Sequence, residues 1–230
     1  MTGGKGDDRY TVSDVGDLVT EAANQGYDVV ISELASYTLT ANVEDLFLGI
    51  GALVGKGNAL ANRVEGNGAD NTLDGLGGND KLYGWEGNDS ILGGLGNDHL
   101  HGYTGNDTIK GGAGNDLIDA GGGADIIYGE AGADVFMYRI AATSELANLG
   151  GDTIIGFQSG TDKIELADLL DEFGVDAATA LATQHVLLTK SGKDTLVQFD
   201  QDGSGGGMAP VTLATVTSAT LTAADIILES

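Results

Sequence analysis

From Gly57 to Met137 the chain repeats one nine-residue unit nine times without a gap, as in GLGGNDKLY from Gly75, GGLGNDHLH from Gly93 and GYTGNDTIK from Gly102. The sixth place reads Asn62, Asn71, Asp80, Asp89, Asp98, Asp107, Asp116, Asp125 and Asp134. The eighth reads Val64, Leu73, Leu82, Ile91, Leu100, Ile109, Ile118, Ile127 and Phe136. Glycine clusters permit the left-handed backbone of a tight turn, and the polar-apolar-polar triplet after them suits a short strand with its middle side chain inward. Such a unit cannot bury one aliphatic residue alone, so units must stack and share a core.

Six residues of turn and three of strand predict a coil with two units per revolution, whose neighbours along the axis are units n and n+2, about 4.8 Å apart. Carboxylates then pair at a separation of 18 residues. One edge carries Asp80, Asp98, Asp116 and Asp134, and the other Asp89, Asp107 and Asp125. Carboxylates about 5 Å apart repel by roughly 3 kcal/mol at an effective dielectric of 20. The whole chain aggravates this, with 35 acidic residues against 10 basic ones and a net charge of -25. That balance argues against a nucleic-acid partner, which calls for a basic face, and predicts a fold completed by cations. Cysteine is absent, which removes disulfides and thiolate metal sites. No apolar run is long enough to span a membrane as a helix, and no GxSxG, HExxH or P-loop occurs.

The units GGLGND, GYTGND and GGAGND resemble the GGxGxDxUx nonapeptide of repeats-in-toxin (RTX) proteins. The resemblance implies an all-β fold, a right-handed parallel β-roll (a solenoid) with a C-terminal mostly-β capping region, and calcium ions held between turns. The aspartates would supply charge. The loop backbone carbonyls would supply further oxygens, around Gly75, Gly78, Gly84, Gly87, Gly93, Gly96, Gly102, Gly105, Gly111, Gly114, Gly123 and Gly132. Pairing aspartates gives five full sites. Asn62 with Asp80 and Asn71 with Asp89 would be weaker or empty, for an upper count of seven. An isolated copy, GGKGDDRYT, places Asp8 in the sixth position.

Three regions are expected: residues 1–56, a degenerate repeat and strand-rich spacer; residues 57–137, the roll; and residues 138–230, a cap that is similar to the target region of type I secreted proteins. The resemblance implies a secreted, extracellular module of a Gram-negative bacterium, exported by a type I secretion exporter and folding on calcium outside the cell. Beginning inside a repeat loop, the sequence is expected to be the C-terminal part of a larger exoprotein whose catalytic domain, if it has one, lies elsewhere. The alternatives are an adhesin or glycan-binding module with a cell-surface or glycan partner, or the non-catalytic tail of a secreted hydrolase or alginate epimerase.

Short strands are expected near Tyr10, Leu18, Val29, Leu39 and Phe47, helices at residues 167–173 and 177–182, and strands at 186–188 and 196–199. His99 and His101 flank Leu100 on one outer face, where a pair could hold Zn²⁺ but more often is solvated. Trp85 and Tyr103 should stack along one edge, as loop contacts or as a sugar platform. Leu117, Ile126, Tyr128, Val135 and Met137 make the outer face of the last units apolar, which predicts a cover. Asp200, Asp202 and Ser204 resemble the start of an EF-hand loop, but Val211 stands at the place of its glutamate, so a hairpin loop is the better reading.

Overall fold

A computed structural model describes residues 1–140, 146, 148–203 and 207–228. The strands are β1 Arg9–Val12, β2 Val29–Ser32, β3 Ser36–Thr38, β4 Asp45–Leu48, β5 Val54–Lys56, β6 Arg63–Glu65 and β7 Thr72–Asp74. The repeats continue with β8 Lys81–Glu86, β9 Ser90–Leu95, β10 His99–Thr104, β11 Thr108–Ala113, β12 Leu117–Gly122, β13 Ile126–Ala131 and β14 Val135–Met137. After them come β15 Asp152–Ile155, β16 Lys163–Glu165, helix α1 Ala167–Phe173, β17 Val186–Ser191, β18 Asp194–Phe199, β19 Val211–Val216 and β20 Ile226–Ile227.

From β2 to β17 successive strands alternate between two sheets, as a coil of two units per turn requires. The first runs β1-β2-β4-β6-β8-β10-β12-β14-β16-β20, all parallel. The second runs β3-β5-β7-β9-β11-β13-β15-β19 in parallel and ends in the antiparallel β19-β18-β17 meander. The chain is therefore a parallel β-roll, and the pairing passes residues 56 and 137 without interruption. Ten strands at about 4.8 Å give a sheet roughly 43 Å long.

Register stacks the inward residues of the eighth place. Leu82, Leu100, Ile118, Phe136, Ile164 and Ile226 align through the first sheet. Leu73, Ile91, Ile109, Ile127, Ile154 and Val216 align through the second. Apart from Ile226 at the end, each is 2 % exposed or less, so the repeated aliphatic residue is the core.

Several local expectations are corrected. In the middle units the strand is six residues, because pairing continues round the corner into positions one to three of the next unit. Leu18 lies in no strand and is exposed: Asp17 turns the chain by accepting the Ser13 and Asp14 amides, and Val19 is buried instead. Residues 177–182 form turns rather than a helix. Asp176 draws the Ala178 amide to its carboxylate, and the Thr183 hydroxyl bonds back to the Thr179 carbonyl, local bonds that compete with a helical ladder. Helix α1 does form, and Gly174 ends it in the left-handed region at φ 64°. The outer apolar stripe is covered only in part: Met137 is buried, whereas Ile126 remains 42 % exposed.

Candidate metal centres

Most corners of the repeat block are shaped by what glycine tolerates. At Gly96, φ is 125°, and a Cβ there would overlap the carbonyl oxygen of Gly78, its counterpart two units earlier. At Gly93 a Cβ would overlap both the carboxylate of Asp98 in its own unit and the Gly111 carbonyl. The aspartate thus folds back over the first residue of its loop, beside a backbone oxygen from the unit two further on. The same arrangement brings Asp80 beside the Gly93 carbonyl, Asp89 beside Gly102, Asp107 beside Ala120 and Asp116 beside Gly129.

The residues predicted to pair are brought together. Along the first edge the amides of Asn62, Asp80, Asp98 and Asp116 donate to Oδ1 of the residue 18 places on, at 2.7, 2.8, 2.9 and 3.0 Å. Along the second edge Asn71, Asp89 and Asp107 do the same, each at 2.7 Å. One oxygen of every carboxylate is satisfied in this way. The other is not: Oδ2 of Asp80, Asp89, Asp98, Asp107, Asp116, Asp125 and Asp134 is buried without any hydrogen-bond partner. Each of these residues is 2 % exposed or less.

A buried carboxylate oxygen without a donor is costly, and the protein registers the cost as raised pKa values. Burial pushes Asp80 and Asp116 up to about 7 and Asp89 up to about 6, against the pull of the backbone amides, with the next carboxylate in the ladder adding to the rise. Asp98, Asp107, Asp125 and Asp134 are raised by the same burial. Seven orphan oxygens, five beside a loop carbonyl, form an all-oxygen donor set that fits Ca²⁺, which takes six to eight oxygens. Soft metals prefer sulfur or imidazole.

The two asparagines are different. Asn62 Oδ1 accepts the Asn58 amide, and its Nδ2 donates to the Val43 and Glu44 carbonyls. Asn71 accepts from Asn67 and donates to the Ala52 carbonyl. An NH₂ group thus meets the carbonyls of the preceding turn, and no oxygen is left without a partner.

Two ladder residues were missed in the sequence. Asp152 accepts the Asp125 amide at 3.0 Å, and Asp162 accepts that of Asp134 at 3.2 Å. Their separations, 27 and 28 residues, hide them from an 18-residue search, although the Asp-x-Ile triplets DTI and DKI were a usable signal. Tyr138 donates to Asp152 Oδ2 at 3.0 Å, and Gln158 to Asp162 Oδ2 at 2.7 Å. The position-five asparagines also went unread. Asn79, Asn88, Asn97, Asn106 and Asn115 accept the amide 18 residues later at 2.7 to 2.9 Å, stitching the turns in the opposite sense to the aspartates.

The remaining candidates sort simply. Asp8 sits over Gly3 as the repeat aspartates sit over their first glycines. His101 stacks on Tyr83 at 5.2 Å and faces Asp119 at 3.6 Å, while His99 lies beside Lys81; among the described residues no third ligand gathers them into a zinc site. Trp85 and Tyr103 stack 4.6 Å apart and 4° from parallel, at φ 79° and 73°. Asp200 and Asp202 lie in the loop between antiparallel β18 and β19, where Asp202 takes the Gly207 and Met208 amides; Ser204 lies outside the described residues.

Residues 65–100 and 101–136 match the model of the RTX calcium-binding nonapeptide repeat. Among solved structures the chain is similar to the AlgE6R3 subunit of the Azotobacter vinelandii mannuronan C5-epimerase, at 25 % identity over 75 % of this chain and 80 % of that one, with a TM-score of 0.22. No curated protein matches.

Proposed function

We propose that this calcium-binding β-roll, whose residues 65–100 and 101–136 match the RTX calcium-binding nonapeptide repeat, serves as a folding and stabilising module of a type I secreted exoprotein. The observation that carries the reading is the file of seven buried aspartate oxygens without partners. Calcium supplies the charge those oxygens lack, so its binding energy becomes folding energy. Five ions would lie between Asp80 and Asp98, Asp98 and Asp116, Asp116 and Asp134, Asp89 and Asp107, and Asp107 and Asp125, with loop carbonyls from the glycine-rich corners. Two more would be closed by Asp152 next to Asp125 and by Asp162 next to Asp134. Asn62 and Asn71, internally satisfied, hold none.

With affinities of about 10⁻⁴ to 10⁻³ M, as in extracellular modules, the repeats stay empty in a calcium-poor cytosol. The chain could then pass an exporter unfolded and close on the outside. Its residues contribute metal binding and structure, and any catalysis would belong to another part of the exoprotein. No helix among the described residues is long and apolar enough to cross a membrane. Circular dichroism in chelator and in millimolar calcium tests the reading: a gain of β signal on calcium addition is expected, and identical spectra with no calorimetric uptake would overturn it.

A glycan-binding role has one observation in its favour. The Trp85 and Tyr103 rings form a flat pair that stays 42 % and 38 % exposed although both residues occupy left-handed backbone. A glycan array probed in calcium checks it, and a blank array with calcium binding intact would leave the rings as loop-to-loop stacking.

A further inference from the structure

Ahead of the nine-unit block, Asp8 and Asp28 repeat the ladder bond and a third carboxylate, Glu21, joins them. We infer that Asp8, Glu21 and Asp28 hold a calcium ion that ties the loop before β1 and the excursion after it to β2.

Three observations combine. Glu21 is 7 % exposed and Asp28 1 %, so two of the three carboxylates are buried. Glu21 Oε1 accepts the Gly3 amide at 3.0 Å and the Tyr10 hydroxyl, while its Oε2 is buried without a partner, as is Oδ2 of Asp8. Asp28 Oδ1 accepts the Asp8 amide at 2.9 Å, which sets the two carboxylates side by side. One oxygen from each of the three residues lies within 4.8 Å of the others. None of the ion pairs among the described residues reaches them.

Three carboxylates form an all-oxygen donor set that fits Ca²⁺, which takes carboxylate, carbonyl and water oxygens in a flexible shell. Neither imidazole nor thiolate is part of the cluster, which disfavours transition metals. Asp8 is only half-buried, leaving one side open to water ligands.

The site adds a third carboxylate to the ladder geometry. The Asp8 amide donates to Asp28, 20 residues on, as the repeat aspartates donate across 18, and Glu21 joins the pair from the excursion between β1 and β2. That excursion also carries the carbonyl of Leu18, which accepts the Met1 amine, and the amide of Thr20, which donates to the Met1 carbonyl. An ion there would tie the loop before β1 and the excursion after it to the start of β2. It uses none of the aspartates between Asp80 and Asp134.

The test is calcium stoichiometry by calorimetry on the full chain, for the parent, Glu21→Gln, Asp28→Asn and the exposed control Asp14→Asn. One calcium fewer per chain is expected in the first two variants and none fewer in the control. If both retain the parental count the inference is overturned with the repeat reading intact; a parent that takes up no calcium would overturn both. Should the two variants fail to fold, Tyr10→Phe, which removes only a hydroxyl, provides the second measurement. Tyr10 touches Glu21, so terbium emission excited through tyrosine should fall in Tyr10→Phe relative to the parent. Unchanged emission would refute the site.

Discussion

Replacing Asp116 with asparagine should stabilise the metal-free chain and weaken the calcium-loaded one. Asp116 is 2 % exposed; its Oδ1 accepts the Asp98 amide at 2.9 Å and its Oδ2 has no partner. With its pKa at about 7 instead of 3.8, the ionised carboxylate costs the metal-free fold about 4 kcal/mol above neutral pH, at 1.36 kcal/mol per unit. An amide keeps the Oδ1 bond and removes the charge, but leaves an unsatisfied NH₂ worth about 1 to 3 kcal/mol. The net gain expected is about 1 to 3 kcal/mol. Urea unfolding at pH 7.5 in chelator, with enough sulfate to hold both chains folded, should show the variant ahead. At pH 4 the lead should vanish, because the parental carboxyl is then largely protonated in the fold. In calcium the order inverts: losing a site saturated at 100 times its dissociation constant removes about 2.7 kcal/mol, and calorimetry should count fewer ions. A variant that is less stable than the parent in chelator at pH 7.5, or that keeps the full calcium count, would refute the reasoning.

The folded pKa values of Asp80, Asp89 and Asp116 lie above the unfolded one, so the metal-free fold binds more protons than the unfolded chain between about pH 4 and 7. Its stability should therefore fall as pH rises through that window, and calcium binding should release protons below pH 7; calorimetry in buffers of different ionisation enthalpy checks both. Asn71→Asp exchanges an amide that donates to the Ala52 carbonyl for a carboxylate facing the same oxygen. It should lower the urea midpoint in chelator by the equivalent of about 1 to 3 kcal/mol. Gly96→Ala meets both φ 125° and the Gly78 carbonyl, and should cost well over 1 kcal/mol and broaden calcium-induced folding followed by circular dichroism. Leu100→Ala empties a fully buried place in the core ladder, and should cost about 2 to 5 kcal/mol in thermal unfolding with the calcium count unchanged.

What the sequence made legible follows from the period. A strict repeat at nine residues forces each unit into the same conformation, so the inward file from Val64 to Phe136, the two edges and the pairing of Asp98 with Asp116 could all be read without coordinates. Where the period breaks, the same chemistry persists but its spacing no longer announces it. Asp152 and Asp162 enter the ladders after insertions that lengthen the step from 18 to 27 and 28 residues. Leu18 was misjudged because an apolar residue in an irregular segment carries no register, and the Asp17 turn decides which neighbour is buried. The deepest gap was between asparagine and aspartate. By type, Asn62 differs from Asp80 only by one charge, and sequence reasoning could therefore rank it as a weaker ligand. The structure gives a different physical reason: the Asn62 NH₂ donates to the Val43 and Glu44 carbonyls, and Oδ1 is closed by Asn58, so its hydrogen bonds are complete without an ion. The first two units are thus held by amide donors, and the units after them end in carboxylate oxygens that only a cation can satisfy. A roll built in this order has a metal-independent stretch at Asn62 and Asn71 on which the calcium-dependent turns that follow can stack, as in other stacked repeats where each unit stabilises the next.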